Sequence, residues 1–295
     1  MNRADDFCII GAGKLGLSLA NYITGAGSCV SLIARSDASC REASKIVNPD
    51  MIFRTLDKLF YLPKTFIIAV QDAQIAEIAE TLADMFEQNL RGRCVMHCSG
   101  ALEAKILKPC KACGANIFAA HPFQTFARHD AAQFENIYWG VEQEEGREEA
   151  EKFVRYMHGN LIKIHDKDKN LYHLTAVLVS NYVNATVNLG KQVAELFGMD
   201  LREPAMKIIT QTAQNALSSP SENISLTGPI ARGDLDTIAK HLTAIKDKPE
   251  ILAPYCYFGL ATLEMLKNSQ IDQDNFISNA RIMLLDAIAS TKSNR

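Results

Sequence analysis

The sequence has no apolar run long enough to span a bilayer. Its first six residues hold one Arg and two Asp, with no signal-peptide core. It also lacks any Lys/Arg run, and its net charge is −3, so no basic stripe can track a nucleic-acid backbone. These absences predict a protein with neither membrane nor nucleic-acid partners. The eight cysteines are scattered without a paired framework, which reads as reduced thiols in a cytoplasmic setting. There is no internal repeat and no low-complexity tract. At 295 residues and 47% hydrophobic, the chain is long and apolar enough for two domains.

The first half alternates short β-rich runs with helical stretches. Strands are predicted at residues 7–10, 29–34, 65–70, 94–98 and 116–120, with further candidates at 137–141 and 161–164 around a charged helix near 144–157. Near-continuous apolar strands fit a parallel sheet covered on both faces. After His165 the pattern becomes helical. One long helix is expected from about Asp168 to Phe197, stopped by Gly198, and others from Glu203, Asp234, Pro249 and about Asp272. The expected architecture is an α/β Rossmann domain over residues 1–165, then an all-α domain over 166–295.

Gly11-Ala12-Gly13-Lys14-Leu15-Gly16 matches G-x-G-x-x-G directly after a strand and at a helix start. Gly11 permits the tight turn, Gly13 lets a pyrophosphate approach the backbone, and Gly16 allows close helix–strand packing. The positive end of the following helix suits the phosphates. An NAD site normally offers Asp or Glu at the end of the second strand; here the residues are Ala34-Arg35-Ser36. Arg35 can pair with a 2′-phosphate, so NADP is favoured over NAD, although Asp37 stands close enough to take the NAD role if the strand ends later. Val70 and Gln71, past another strand, complete the expected cofactor set.

Hydride transfer needs a proton donor near the accepting atom and, for an anionic substrate, a cation. Ser99 and His121 sit just past strands, where Rossmann ligands lie. Lys169 and His173 are four residues apart on one helix face, with Ser180 two turns on; Asn181, Asn184 and Asn188 form a second stripe. Because the rest of that helix is apolar, it is expected to be central to its domain. The stretch from Ser225 to Asp234, with two glycines and a proline, presents Thr227 and Arg232 in a loop suited to anion capture. His121, Lys169 and His173 are the catalytic candidates; Ser99, Asn181, Thr227 and Arg232 are the substrate-binding ones. Cys94, His97, Cys98, Cys110 and Cys113 invite a zinc reading, but on a strand His97 points away from Cys94 and Cys98, and no second C-x-x-C exists. No metal site is expected.

The glycine-rich start, His97-Cys98-Ser99-Gly100, His121 to Phe126, Lys169 to His173, Ser180-Asn181-Tyr182 and Leu226 to Asp234 together resemble the bacterial Rossmann-like and DUF2520 domain-containing proteins. That family is described as NADP oxidoreductases, related to pyrroline-5-carboxylate reductase and to the 6-phosphogluconate and 3-hydroxyacid dehydrogenases. The resemblance implies a helical C-terminal domain of the 6-phosphogluconate dehydrogenase type that pairs two copies into a homodimer. The hydroxyacid dehydrogenases carry a catalytic Lys with an Asn four residues later; here the pair is Lys169 and His173. The sequence therefore leads to an NADP-dependent oxidoreductase of a small, anionic carbonyl, imine or hydroxy acid bound in a cleft between the domains. The alternative is a non-catalytic, NADP(H)-binding redox-sensing module.

Overall fold

The computed structural model describes residues 6–127, 134–218, 226–266 and 274–293. Two compact units divide the chain at Asn181 and Tyr182. Ser225 and the region of Asp272 lie outside the described residues.

The first unit is built on eight strands: β1 (Asp6–Ile10), β2 (Cys29–Ile33), β3 (Ile52–Phe53), β4 (Thr65–Ile68), β5 (Cys94–His97), β6 (Asn116–Pro122), β7 (Tyr138–Glu142) and β8 (Asn160–Ile164). Their order in the sheet is β3-β2-β1-β4-β5-β6-β7-β8. The first six give the doubly wound order, which reverses direction between β1 and β4 and opens a crevice at the carboxyl ends there. Alternation along β1 explains why it reads as continuously apolar: Phe7 and Ile9 enter one core, Cys8 and Ile10 the other. Beyond β6 the sheet departs from the parallel expectation. β7 runs antiparallel to β6, with His121 opposite Gly140, and β8 then runs parallel to β7. The two-residue β3 carries too short an apolar signal to be read from sequence.

The helices of this unit are α1 (Lys14–Gly25), α2 (Asp37–Ala43), α3 (Ile75–Phe86), α4 (Lys108–Ala112), α5 (Arg147–Tyr156) and α6 (Lys169–Val179). Gly27, in the left-handed region at φ 84°, turns the chain after α1. The expected single helix over 168–197 is two. The backbone leaves helical geometry at Ser180, whose hydroxyl donates to the Ala176 carbonyl at 2.6 Å, and α7 (Asn181–Glu195) follows. α6 is apolar, as the sequence suggests, but it is not buried in the single chain. Its one buried residue is Lys169, while Leu171, Leu174 and Leu178 are exposed in the single chain.

The second unit contains most of α7, then α8 (Arg202–Ser218), α9 (Leu235–Ala244), α10 (Pro249–Met265) and α11 (Asp274–Ser293). Its core includes Ile238, Leu252, Cys256, Leu263, Ala280 and Leu284. Asp234 caps α9 by accepting from the Thr237 N–H at 2.9 Å, as its position before the helix predicts. Gly259 lets α11 pack closely: a Cβ there would meet Leu284 at 2.9 Å. Among the described residues, no helix is long and apolar enough to cross a membrane.

Candidate functional site

The turn between β1 and α1 follows from its glycines. Gly11 sits at φ 115°, and a Cβ on it would stand 2.5 Å from the Ala69 carbonyl oxygen. A Cβ on Gly16 would fall 1.9 Å from the Gly11 carbonyl oxygen, so only glycine brings the helix this close to the strand. Gly13 is different: nothing lies within 4 Å of its missing Cβ, and no side chain caps the helix that starts there. The open backbone and the positive helix end face a cleft of about 900 Å³.

Every predicted cofactor residue except Gly16 lines that cleft. Gly16 packs under the turn instead. Ser36 caps α2 and exchanges bonds with Ser39, each hydroxyl accepting from the other's N–H at 3.1 Å. The guanidinium of Arg35 has no partner among the described residues. Asp37 is the sequence's alternative candidate, for ribose hydroxyls, if the strand ends later. The strand ends at Ile33, and Asp37 lies in the first turn of α2, paired with Arg54. Arg54 also donates to the Arg35 carbonyl at 2.8 Å. It lines the same cleft beside Arg35 and was not legible in the sequence, because it follows the very short β3.

At its other end the cleft reaches Gln71, Asp72, Cys98 and Ser99. The Ser99 hydroxyl donates to Asp72 at 2.8 Å and accepts from the N–H groups of Ala101 and Leu102. Ser99 therefore shapes this loop. Its own N–H donates to His97 Nδ1 at 3.2 Å, which leaves the His97 proton on Nε2, facing the Glu103 carbonyl at 3.2 Å. Burial, helped by Lys169, pushes His97 down to about 3, so the ring is neutral and structural. Burial also pushes the Cys98 thiol up to about 12, which makes it a poor nucleophile. Among the described residues, no three His, Cys, Asp or Glu side chains are grouped to hold a metal.

Next to Ser99, two of the predicted catalytic residues meet at Gly100. A Cβ there would stand 2.8 Å from the His173 ring and 3.1 Å from His121 Nε2. The two imidazoles lie edge to face with centroids 6.0 Å apart. Behind them Tyr172 sets its hydroxyl 2.8 Å from His121 Nδ1. Burial, with His173 and Lys169 adding to it, lowers His121 to about 4. Lys169, expected to face the substrate, is instead buried and paired with Glu142 at 2.6 Å. Both Glu142 oxygens also accept from the Ala104 N–H, at 2.9 and 3.0 Å. Tyr172 had a usable signal, since it lies three residues after Lys169 on one helix face. Glu142 had none, because only the sheet brings β7 under α6.

Asn181 is exposed, with its side-chain oxygen 2.9 Å from the Ser180 hydroxyl. Thr227 and Arg232 belong to the second unit, where both are exposed; the hydrogen bonds from Thr237, helped by Arg232, hold the Asp234 carboxyl below its usual range.

A Rossmann-like domain model matches residues 3–122, and the model DUF2520, a domain of unknown function, matches 137–262. The chain is a Rossmann-like and DUF2520 domain-containing protein. No curated protein matches its sequence. Among solved structures it resembles a Bacteroides fragilis protein described as a "putative NADP oxidoreductase", at 20% identity over 84% of this chain and 94% of that one, with a TM-score of 0.72. It also resembles a Thermotoga maritima protein, at 22% identity over 97% and 99% of the two chains, TM-score 0.56. A third is an imine reductase from Myxococcus stipitatus in complex with NADP+, at 12% identity over 97% and 94%, TM-score 0.58. At these identities the likeness is one of fold.

Proposed function

We propose that this protein is an NADP(H)-dependent oxidoreductase acting on a small carbonyl or imine compound or its reduced counterpart. The observation that carries the reading is one cleft with two functional ends. The glycine turn and two arginines line it on one side; on the other it ends at Ser99, beside the imidazoles of His121 and His173. Gly13 leaves room for a pyrophosphate, and Arg35 with Arg54 would hold a 2′-phosphate. When bound, NADPH supplies a hydride. His173 then passes a proton to the substrate heteroatom, while Lys169 acts through Glu142 as a positioning residue. The NADP+ complex of the similarly folded imine reductase supports the same cofactor class. A cytoplasmic setting, expected from the scattered cysteines of the sequence, belongs to the same proposal.

A screen of NADPH oxidation against oxoacids, aldehydes and imines tests this reading. One class should turn over, and His173→Ala should slow it by about 10²-fold. Tight NADPH binding with no turnover of any class would favour the redox-sensing module instead.

A homodimer through residues 166–295 belongs to the same proposal. Leu171, Leu174 and Leu178 on α6, and Met206, Ile208 and Leu217 on α8, are large apolar residues left exposed by the single chain. Light scattering at micromolar concentration should give twice the chain mass; a monomer would contradict the pairing.

A further inference from the structure

The oxidoreductase reading leaves unused the contact behind His121. Tyr172 reaches from α6 to set its hydroxyl 2.8 Å from His121 Nδ1 and 3.3 Å from the His121 carbonyl oxygen. The approach depends on Gly140, the strand partner of His121: a Cβ there would stand 2.4 Å from Tyr172 Cζ and 2.5 Å from its oxygen. Gly100 makes room at the Nε2 side of the same imidazole: a Cβ there would stand 3.1 Å from His121 Nε2 and 2.8 Å from the His173 ring.

We propose that Tyr172 is a positioning residue that donates its hydroxyl hydrogen to His121 Nδ1, holding His121 as the Nε2–H tautomer and presenting one fixed N–H donor beside the His173 ring.

The number of hydrogens available decides the tautomer. A neutral imidazole carries one N–H, and the partner of one nitrogen decides whether the other holds it. The tyrosine hydroxyl has one hydrogen and two acceptors within reach. Nδ1, at 2.8 Å, lies at the preferred length for a hydroxyl donor, and the carbonyl, at 3.3 Å, lies beyond it. Neither partner changes charge near neutral pH. Burial raises the Tyr172 phenol, and His121 stays neutral down to about 4. The charged or titratable groups that act on His121 are His173 and Lys169 on α6, the latter paired with Glu142 on β7.

The consequence is a restriction on substrate. A neutral Nε2–H only donates, so the atom it meets must bring a lone pair. A carbonyl oxygen or an unprotonated imine nitrogen qualifies; an iminium or ammonium nitrogen does not. The hydride adds to the substrate carbon, and the proton that completes the alcohol or amine comes from His173. This use of the tautomer rests on the oxidoreductase reading, whereas the tautomer itself does not.

Long-range ¹H–¹⁵N correlation spectra of the full-length, ¹⁵N-labelled protein read imidazole tautomers directly, with His121→Gln providing the assignment. The wild-type spectrum near neutral pH should show His121 as Nε2–H. Tyr172→Phe keeps the ring packing and should give a mixture of both tautomers at His121. An Nδ1–H tautomer in the wild type, or an unchanged tautomer in Tyr172→Phe, overturns the proposal; the wild-type spectrum decides even if the variant does not fold. NADPH titration of the same sample separates the two readings. Binding with an Nδ1–H tautomer overturns this inference alone, and no binding overturns the oxidoreductase reading while the tautomer result stands.

Discussion

The ammonium of Lys169 lies 2.6 Å from the carboxylate of Glu142, and both side chains are almost completely buried. The pair ties the first turn of α6 to the end of β7, and the Ala104 N–H bonds the same carboxylate. Tyr172 and His173 follow three and four residues later on the same helix face, so the ion pair sets where both rings stand. Removing one partner leaves the other charge buried and unpaired, which costs about 3–5 kcal/mol, whereas removing both costs much less. Urea unfolding should therefore rank Lys169→Met well below wild type, with Lys169→Met/Glu142→Gln recovering a large part of the loss. Equal destabilisation by the single and double variants would contradict this role.

A second prediction concerns acid. His97 is held near 3 and His121 near 4 in the folded chain, against an ordinary value of 6.5. The unfolded chain thus binds protons first as pH falls. The stability contributed by the neutral rings is complete above about pH 6.5 and is lost progressively down to about pH 3. Each tenfold difference in proton affinity between the folded and unfolded chain is worth at most about 1.4 kcal/mol. His97→Asn should be less stable at neutral pH yet show a flatter decline between about pH 6.5 and pH 4. Chemical unfolding across that range checks it, and an unchanged slope would remove His97 as the cause.

Much of the fold is legible because its signals are local. The strand cores other than β3 show as apolar runs, the glycine fingerprint sits where a strand meets a helix, and Asp234 caps α9 as its position implies. What is not legible depends on contacts distant in sequence. Nothing near Arg54 shows that β3 carries it to Asp37. Nothing near Glu142 shows that a reversed β7 brings it under Lys169. The long helix misled for a physical reason as well: an apolar helix reads as a buried one, but α6 buries its lysine and leaves its leucines on the surface of the single chain. His121 and His173, far apart in sequence, were legible as candidates for one pocket; the glycines that make the room, Gly100 and Gly140, were not.

Gly16 offers the sharpest test of the turn. An added methyl group would meet the Gly11 carbonyl oxygen at 1.9 Å, and backbone cannot give way as a side-chain end can. Gly16→Ala should abolish dinucleotide binding even where circular dichroism shows a folded chain. Gly13→Ala adds a methyl that meets no protein atom within 4 Å, so it should leave the fold intact and weaken binding only through the ligand. Equal stability and equal affinity for wild type and Gly16→Ala would contradict the packing.

Arg54 and Asp37 make a prediction about specificity. Arg54 competes with ribose hydroxyls for the Asp37 carboxylate. Arg54→Ala should therefore weaken NADPH and strengthen NADH, and Arg54→Ala/Asp37→Ala should lose the gain for NADH. Isothermal titration of both cofactors checks this, with no change in their ratio as the contrary result.

Fluorescence titration of the purified protein with NADPH and NADH tests most directly whether this cleft binds NADPH through Arg35. NADPH should bind at least about tenfold tighter than NADH, and Arg35→Ala should remove most of that difference. Equal affinities in the wild type, or a preference that survives Arg35→Ala, would contradict the assignment of Arg35 to the 2′-phosphate.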